Sequence, residues 1–160
     1  MPDERPPIRH VLVIVPTYNE RDNVSRIVPL ILDQDRRVDV LVVDDGSPDG
    51  TGKVVEAMAA TNSRVHLVER ASKMGLGTAY LAGFKWAIER DFDVAFEMDA
   101  DFSHDPKHIP QFLRAIDDAD IVLGSRYQDG RVTVVTWQIG RLVMSYLANI
   151  YARAVTRLPV

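Results

Sequence analysis

The sequence predicts a doubly wound α/β fold built on a mostly parallel sheet. Three observations carry this expectation. First, short aliphatic runs recur along the chain. Two of them, His10–Val15 (HVLVIV) and Val38–Val43 (VDVLVV), are apolar on both faces, as strands buried between two helical layers must be. Second, stretches with helical spacing separate the runs without any repeated sequence, which is βαβ architecture and not a repeat array. Third, acidic and turn-forming residues gather after each run. Right-handed crossovers then wind the helices onto both faces of the sheet.

Taken in order, the strand candidates are His10–Val15, Val38–Val43, Arg64–Glu69, Asp93–Met98 and Asp120–Leu123. A first helix, capped by Asn19 or Asp22, turns Val24, Ile27, Val28, Ile31 and Leu32 inward. Asp49-Gly50-Thr51 opens a second, with Val54, Val55, Met58 and Ala59 facing the core and Asp49 as its cap. Gly75-Leu76-Gly77-Thr78 opens a third that runs to about Arg90. Asp105-Pro106 is a cap followed by proline at the first helical position, and starts a fourth. The opening MPDERPPIRH is charged and proline-rich, and residues 1–9 read as a mobile arm ahead of one domain over residues 10–160. The end, Arg157-Leu158-Pro159-Val160, reads as the approach to further structure, so the expected domain lacks its C-terminal part.

The 160 residues suit one domain and bury enough surface to fold without a staple. Lys and Arg number 19 against 23 Asp and Glu, a net charge of −4, which argues against a general nucleic-acid binder. There is no Cys, which excludes disulfides, thiolate zinc sites, iron–sulfur clusters and a cysteine nucleophile. The apolar stretch Leu142–Ala152, flanked by Arg141 and Arg153, is too short to cross a bilayer, which takes about 20 residues. With no secretory signal in view, the expectation is a cytoplasmic protein, soluble or bound to a surface.

In a doubly wound sheet, ligands bind at the carboxyl ends of the strands. After the first strand comes Pro16-Thr17-Tyr18-Asn19-Glu20, and after the second Asp44-Asp45-Gly46-Ser47-Pro48-Asp49-Gly50. Arg70 to Gly75 follow the third, Asp99-Ala100-Asp101-Phe102-Ser103-His104 the fourth, and Gly124-Ser125-Arg126-Tyr127 the fifth. Asp99 and Asp101 are two apart, so extended backbone points both the same way. Two carboxylates on one spot repel unless a cation lies between them, and an all-oxygen set suits Mg²⁺ or Mn²⁺, ions that also hold phosphates. The plainer alternative is one helix cap and one solvated side chain. Asp45 is the stronger ligand candidate of the second acidic pair, Asp44 the structural one. Tyr18 offers a ring to stack on a base, and Glu20 a carboxylate for a base or ribose or a place in the first helix's cap.

Lys73-Met74-Gly75-Leu76-Gly77 matches neither common phosphate-loop pattern, although Lys73 can neutralise a phosphate. His104 and His108 are four apart, but Pro106 starts a helix between them, and both read as surface residues. Arg141 and Ser145 share one face of a helix over residues 137–156, where Trp137, Leu142, Tyr146, Leu147, Ile150 and Tyr151 mix with arginines. Such a helix either covers the sheet or lies in a membrane interface.

Four motifs now stand in order: PTYNE at 16–20, VVDDGSPD at 42–49, MDAD at 98–101 and GSRY at 124–127. Together they resemble the family-2 glycosyltransferases of GT-A fold, on the branch that mannosylates dolichol or polyprenol phosphate. The resemblance spans about residues 10–158. It implies inverting transfer of mannose from GDP-mannose to a dolichyl or polyprenyl phosphate, with Mg²⁺ or Mn²⁺. It implies that Pro16, Tyr18, Glu20, Val43 and Asp45 hold the guanosine part, and that Asp99, Ala100 and Asp101 line the diphosphate. Asp101 would bind the metal together with Asp99. Some members place a Gln ligand two residues after the second Asp; here that position is Ser103, so the third ligand is Ser103 or a water. Arg126 would meet the donor's phosphates or the acceptor phosphate, and Arg141 and Ser145 match the acceptor-phosphate helix. The implied location is the cytoplasmic face of a membrane, with an anchoring domain or subunit as partner and with 137–156 as the interface helix. The alternatives are a UDP-sugar-dependent relative with another acceptor, or a nucleotide-sugar-binding module without turnover. A phospho-receiver domain needs its acid pair after the first strand, where this chain has Pro16-Thr17-Tyr18.

Overall fold

The computed structural model describes residues 6–124, 127–128, 131–132 and 139–157, with the backbone alone at 127–128 and 131–132 and part of the side chains in 139–157. The chain divides into two compact units, Met1–Asp118 and Ala119–Val160, where the sequence suggested one domain.

The first unit is built on strands β1 (Val11–Thr17), β2 (Val38–Asp44), β3 (Val65–Glu69) and β4 (Val94–Glu97). Between them run helices α1 (Arg21–Leu32), α2 (Thr51–Thr61) and α3 (Leu76–Ile88), followed by a 3₁₀ turn, Pro106–His108, and α4 (Ile109–Ala115). All four strands are parallel, in the order β3-β2-β1-β4. Val11 to Val15 are all completely buried, which is why that run shows no polar alternation.

Alternate residues of the strands serve two cores. Val11, Val13, Val15, Val38, Val40 and Val42 pack with α1, with Val55 of α2 and with Ile109 and Leu113 of α4. Leu12, Ile14, Leu41 and Val43 pack on the other face with Ala79, Tyr80 and Ala87 of α3. The chain therefore changes faces between β3 and β4, and the sheet is doubly wound as expected. The five apolar positions expected to bury α1 all do so. Of the four expected for α2, Val55 is buried and Val54, Met58 and Ala59 are partly buried against the same core. Gly83 lets α3 settle close to the sheet, since a Cβ there would lie 2.5 Å from Ile14 Cγ2.

Three local expectations change. The run Asp120–Leu123 forms no strand, and among the described residues β4 is paired with β1 alone. A strand needs a ladder partner for its N–H and C=O groups, and here Ile121 and Leu123 stand exposed. The arm expected over residues 1–9 is held from Ile8 onward. Arg37 Nη1 donates to Ile8 O, and Arg9 N–H donates to Asp93 Oδ2 at 2.7 Å. Neither Asn19 nor Asp22 caps α1; the N-cap position is Glu20, whose side chain makes no capping hydrogen bond, and Asn19 adopts a left-handed φ of 61°.

The second unit contains a short antiparallel pair, β5 (Tyr127–Gln128) with β6 (Arg131–Val132), and helix α5 (Ile139–Thr156), close to the expected 137–156. On α5, Met144, Tyr146, Leu147, Ile150, Tyr151 and Val155 are exposed. No helix among the described residues is long and apolar enough to cross a membrane.

Candidate active site at the carboxyl edge of the sheet

Parallel strands deliver every strand end to one edge. Thr17 of β1 lies beside Asp44 of β2, and Asp44 beside Glu69 of β3. The strand order reverses between β1 and β4, the place where ligands bind in open α/β sheets, and Pro16–Glu20 and Met98–Ser103 emerge from the carboxyl ends of these two neighbouring strands.

The β2 end is a closed hydrogen-bond cluster. Asp44 is 1% exposed. Its Oδ1 accepts from Thr17 Oγ1 at 2.8 Å and Ser47 Oγ at 2.6 Å, and its Oδ2 accepts from Ser47 N–H at 2.8 Å. This is the structural role the sequence assigned it. The loop beyond it supplies the cap that α1 lacks. Ser47 Oγ accepts from Asn19 N–H, Thr51 Oγ1 from Glu20 N–H, and Asp49 Oδ2 from Arg21 N–H. Asp49 Oδ1 also accepts from Thr51 N–H and Oγ1, so it serves both helices from just before the Gly50 N-cap of α2. Desolvation is the strongest single influence on Asp49 and acts upward, but the bonds from Thr51 and Arg21 together hold its carboxyl below the usual range.

Asp45, 6% exposed, points elsewhere. Its Oδ1 accepts from Arg70 Nε and its Oδ2 from Met74 N–H at 3.3 Å. Tyr18 is 39% exposed and carries Lys73 Nζ 4.5 Å from its ring centroid. Glu20 Oε2 accepts from Asn23 Nδ2. Pro16 is half-buried at the rim, whereas the Val43 side chain is fully buried in the α3-side core.

The β4 end is built differently. The strand stops at Glu97, and residues 100–101 form a turn, so the extended-backbone argument for Asp99 and Asp101 does not hold. The turn is anchored by its apolar residues. Ala100 is buried and Phe102 packs against the α1-side core, with φ of 62° at Phe102 and Arg26 stacked on its ring. Asp99, half-buried, accepts from Tyr80 Oη at 3.2 Å, and its N–H donates to His104 Nδ1 at 3.2 Å. Burial first, and then the charge of Asp99, push the Tyr80 hydroxyl above its ordinary value. Asp101 is exposed, and its Oδ1 accepts from Ser103 N–H at 2.9 Å. That amide bond is the main cause that holds the Asp101 carboxyl below its ordinary range. His104 is thus more than the surface residue expected, while His108 is exposed.

The described residues contain no group of three or more His, Cys, Asp or Glu that could enclose a metal. The chemistry of the pair still fits a hard divalent ion of the Mg²⁺ kind. Such ions keep several waters and take one or two carboxylates plus a substrate's phosphates. Asp101 is accessible and held toward its anionic form, as that use requires.

The β1, β2 and β4 ends bring Pro16, Tyr18, Glu20, Asp45, Asp99, Ala100, Asp101 and Ser103 to one edge. Arg126 lies outside the described residues, as does the side chain of Arg141; Ser145 is half-buried on α5, one turn after Arg141. Sequence reasoning missed Arg70 and Tyr80, the partners of Asp45 and Asp99. The only available signal was an arginine directly after a strand, which does not name its partner.

Residues 12–157 match the family model described as Glycosyl transferase family 2. Over 149 residues the chain is 50% identical to a polyprenol monophosphomannose synthase of Mycolicibacterium smegmatis, covering 92% of this chain and 56% of that protein. It is 46% identical over 143 residues to an undecaprenyl-phosphate mannosyltransferase of Micrococcus luteus, covering 89% and 58%. The chain thus spans somewhat over half the length of these curated relatives. Among solved structures, residues 1–349 of S. aureus TarS align at a TM-score of 0.56 and 25% identity, over 68% of this chain and 32% of that one. The motifs, the doubly wound sheet and the family match agree: the chain belongs to glycosyl transferase family 2.

Proposed function

We propose that this chain carries the donor-binding part of a polyprenyl-phosphate mannose synthase. In the reaction, an oxygen of the lipid phosphate attacks the anomeric carbon of GDP-mannose, the bond to the diphosphate breaks, GDP leaves and the configuration inverts. The observation that carries the reading is the 50% identity, across nearly the whole chain, to a protein named polyprenol monophosphomannose synthase. The GDP donor and the inversion rest on the family resemblance of the four motifs.

The chemistry asks little of a base, because the acceptor phosphate is already anionic at neutral pH. It asks for alignment and for stabilisation of charge on the departing diphosphate. In this reading Pro16, Tyr18, Glu20, Val43 and Asp45 hold the nucleoside, Val43 through its backbone because its side chain is buried in the core. Asp99 and Asp101 hold a divalent ion, with Ser103 or a water completing the set. A bound Mg²⁺ or Mn²⁺ would neutralise the diphosphate. Arg126 meets phosphate oxygens, and Arg141 and Ser145 bind the acceptor phosphate. The exposed Tyr146, Leu147, Ile150 and Tyr151 on α5 support contact with a membrane surface; its cytoplasmic face rests on the family resemblance.

The test is transfer of labelled mannose from GDP-mannose to a polyprenyl phosphate by the full-length protein, with Mg²⁺ or Mn²⁺. Thermal shifts with GDP and UDP should rank GDP first, since the tighter ligand raises the melting temperature more. A larger shift with UDP, or no lipid-linked mannose, overturns the proposal.

A further inference from the structure

One side chain next to the proposed nucleoside site is committed to a residue within it. Arg70 leaves β3 with its side chain 10% exposed, and it meets an Asp45 side chain that is 8% exposed. Its Nε–H donates to Asp45 Oδ1 at 2.5 Å, Nη1 donates to Thr78 Oγ1 at 2.7 Å, and Nη2 donates to Gly75 O at 3.3 Å. One guanidinium therefore ties the end of β2, the β3–α3 loop and the first turn of α3. The backbone closes around this tie. Gly46 takes a φ of +67°, and a Cβ there would lie 3.1 Å from Arg70 O.

The fork of a guanidinium is planar and rigid, so it orients the carboxylate it holds; an ammonium is a point charge and does not. The engagement is also uneven. Oδ1 of Asp45 receives the arginine, while Oδ2 has only the long 3.3 Å bond from Met74 N–H. Oδ2 thus keeps acceptor capacity for an N–H or O–H donor of a bound nucleoside.

We infer that Arg70 is a positioning residue of the donor site. It acts through Asp45, holding the carboxylate so that Oδ2 presents to the nucleoside, and does not touch the donor itself. This rests on the proposed nucleotide-sugar reading.

The experiment is titration calorimetry on the full-length protein with Mn²⁺, using GDP and, as a probe without a nucleoside, pyrophosphate. The proteins are wild type, Arg70→Lys, Asp45→Asn and the double variant. Arg70→Lys should weaken GDP about tenfold, the scale of one hydrogen bond to a charged group. It should leave pyrophosphate binding unchanged and cost nothing further in the Asp45→Asn background. In steady-state transfer it should raise KM for the donor and spare kcat. Unchanged GDP affinity overturns the inference. So do additive losses in the double variant, which would put Arg70 on the nucleoside directly, and an equal loss for pyrophosphate, which would mean that the loop has collapsed. Failure of the wild type to bind GDP overturns the nucleotide reading with it, so the two failures are distinguishable.

Discussion

The ends of β2 and β4 carry the same kind of sequence, aspartates in a turn, and reach opposite states. At β2 the first aspartate is sealed. Asp44 receives three hydrogen bonds and is 1% exposed, and the residues after it cap two helices. At β4 the turn is held by Ala100 and Phe102, which leaves Asp101 outside with the Ser103 amide as its donor. An acidic cluster on a sheet edge is therefore not one kind of object. Burial and the number of donors separate a carboxylate that builds the edge from one that is free to work there.

Substitutions should split along that line. The largest expected effect is on catalysis. On the proposed mannose-synthase reading, Asp101→Asn in the full-length protein should lower mannosyl transfer on the order of 100- to 1,000-fold, the scale of losing one preorganised electrostatic contact in a transition state. Its melting temperature should stay near the wild-type value, because an exposed side chain contributes little to folding. Transfer at the parent rate would erase the contrast. Asp44→Ala should do the reverse, costing about 3 kcal/mol in urea unfolding by stranding the buried hydroxyl of Thr17 and the Ser47 donors. A loss below about 1 kcal/mol would show that the cluster does not hold the edge.

The smallest expected effect comes from a third carboxylate, at the amino-terminal edge of the sheet. The hydrogen bond from Arg37 lowers the Asp35 carboxyl from 3.8 to about 2. Its folded value is depressed, so its stabilisation is present above the unfolded value and is lost as pH falls from about 4 to about 2. Solvent screens this half-open pair, and the worth is about 1 kcal/mol or less. Asp35→Asn should flatten that part of the urea-midpoint profile between pH 4 and 2 and leave transfer at neutral pH unchanged.

Much of the fold is legible in the sequence. The both-face apolar runs gave away the buried parallel strands, and the helical spacing of Val24, Ile27, Val28, Ile31 and Leu32 gave away the inner face of α1. The choice of Asp44 as the structural member of its pair also came from turn chemistry alone. The weaker expectations were those resting on partners distant in sequence. Asn19 and Asp22 are the candidate caps for α1 that lie nearby in sequence, yet the acceptors come from Ser47, Asp49 and Thr51. The residues of Asp120–Leu123 suit a strand, but a strand exists only with a neighbour to pair with.

What the sequence determined by itself was periodicity and order: which residues face inward, where the chain turns, and that acidic residues follow the strands. These depend on neighbours within a turn or two, and the hydrophobic effect sorts them without knowledge of the rest of the chain. Only the tertiary structure decided the state of each carboxylate. It paired Asp45 with Arg70, 25 residues away, and Asp99 with Tyr80, 19 away, and it left Asp101 in the open. Solvation and hydrogen-bond donors set the electrostatic character of a carboxylate, and both come from residues that meet only when the sheet is assembled.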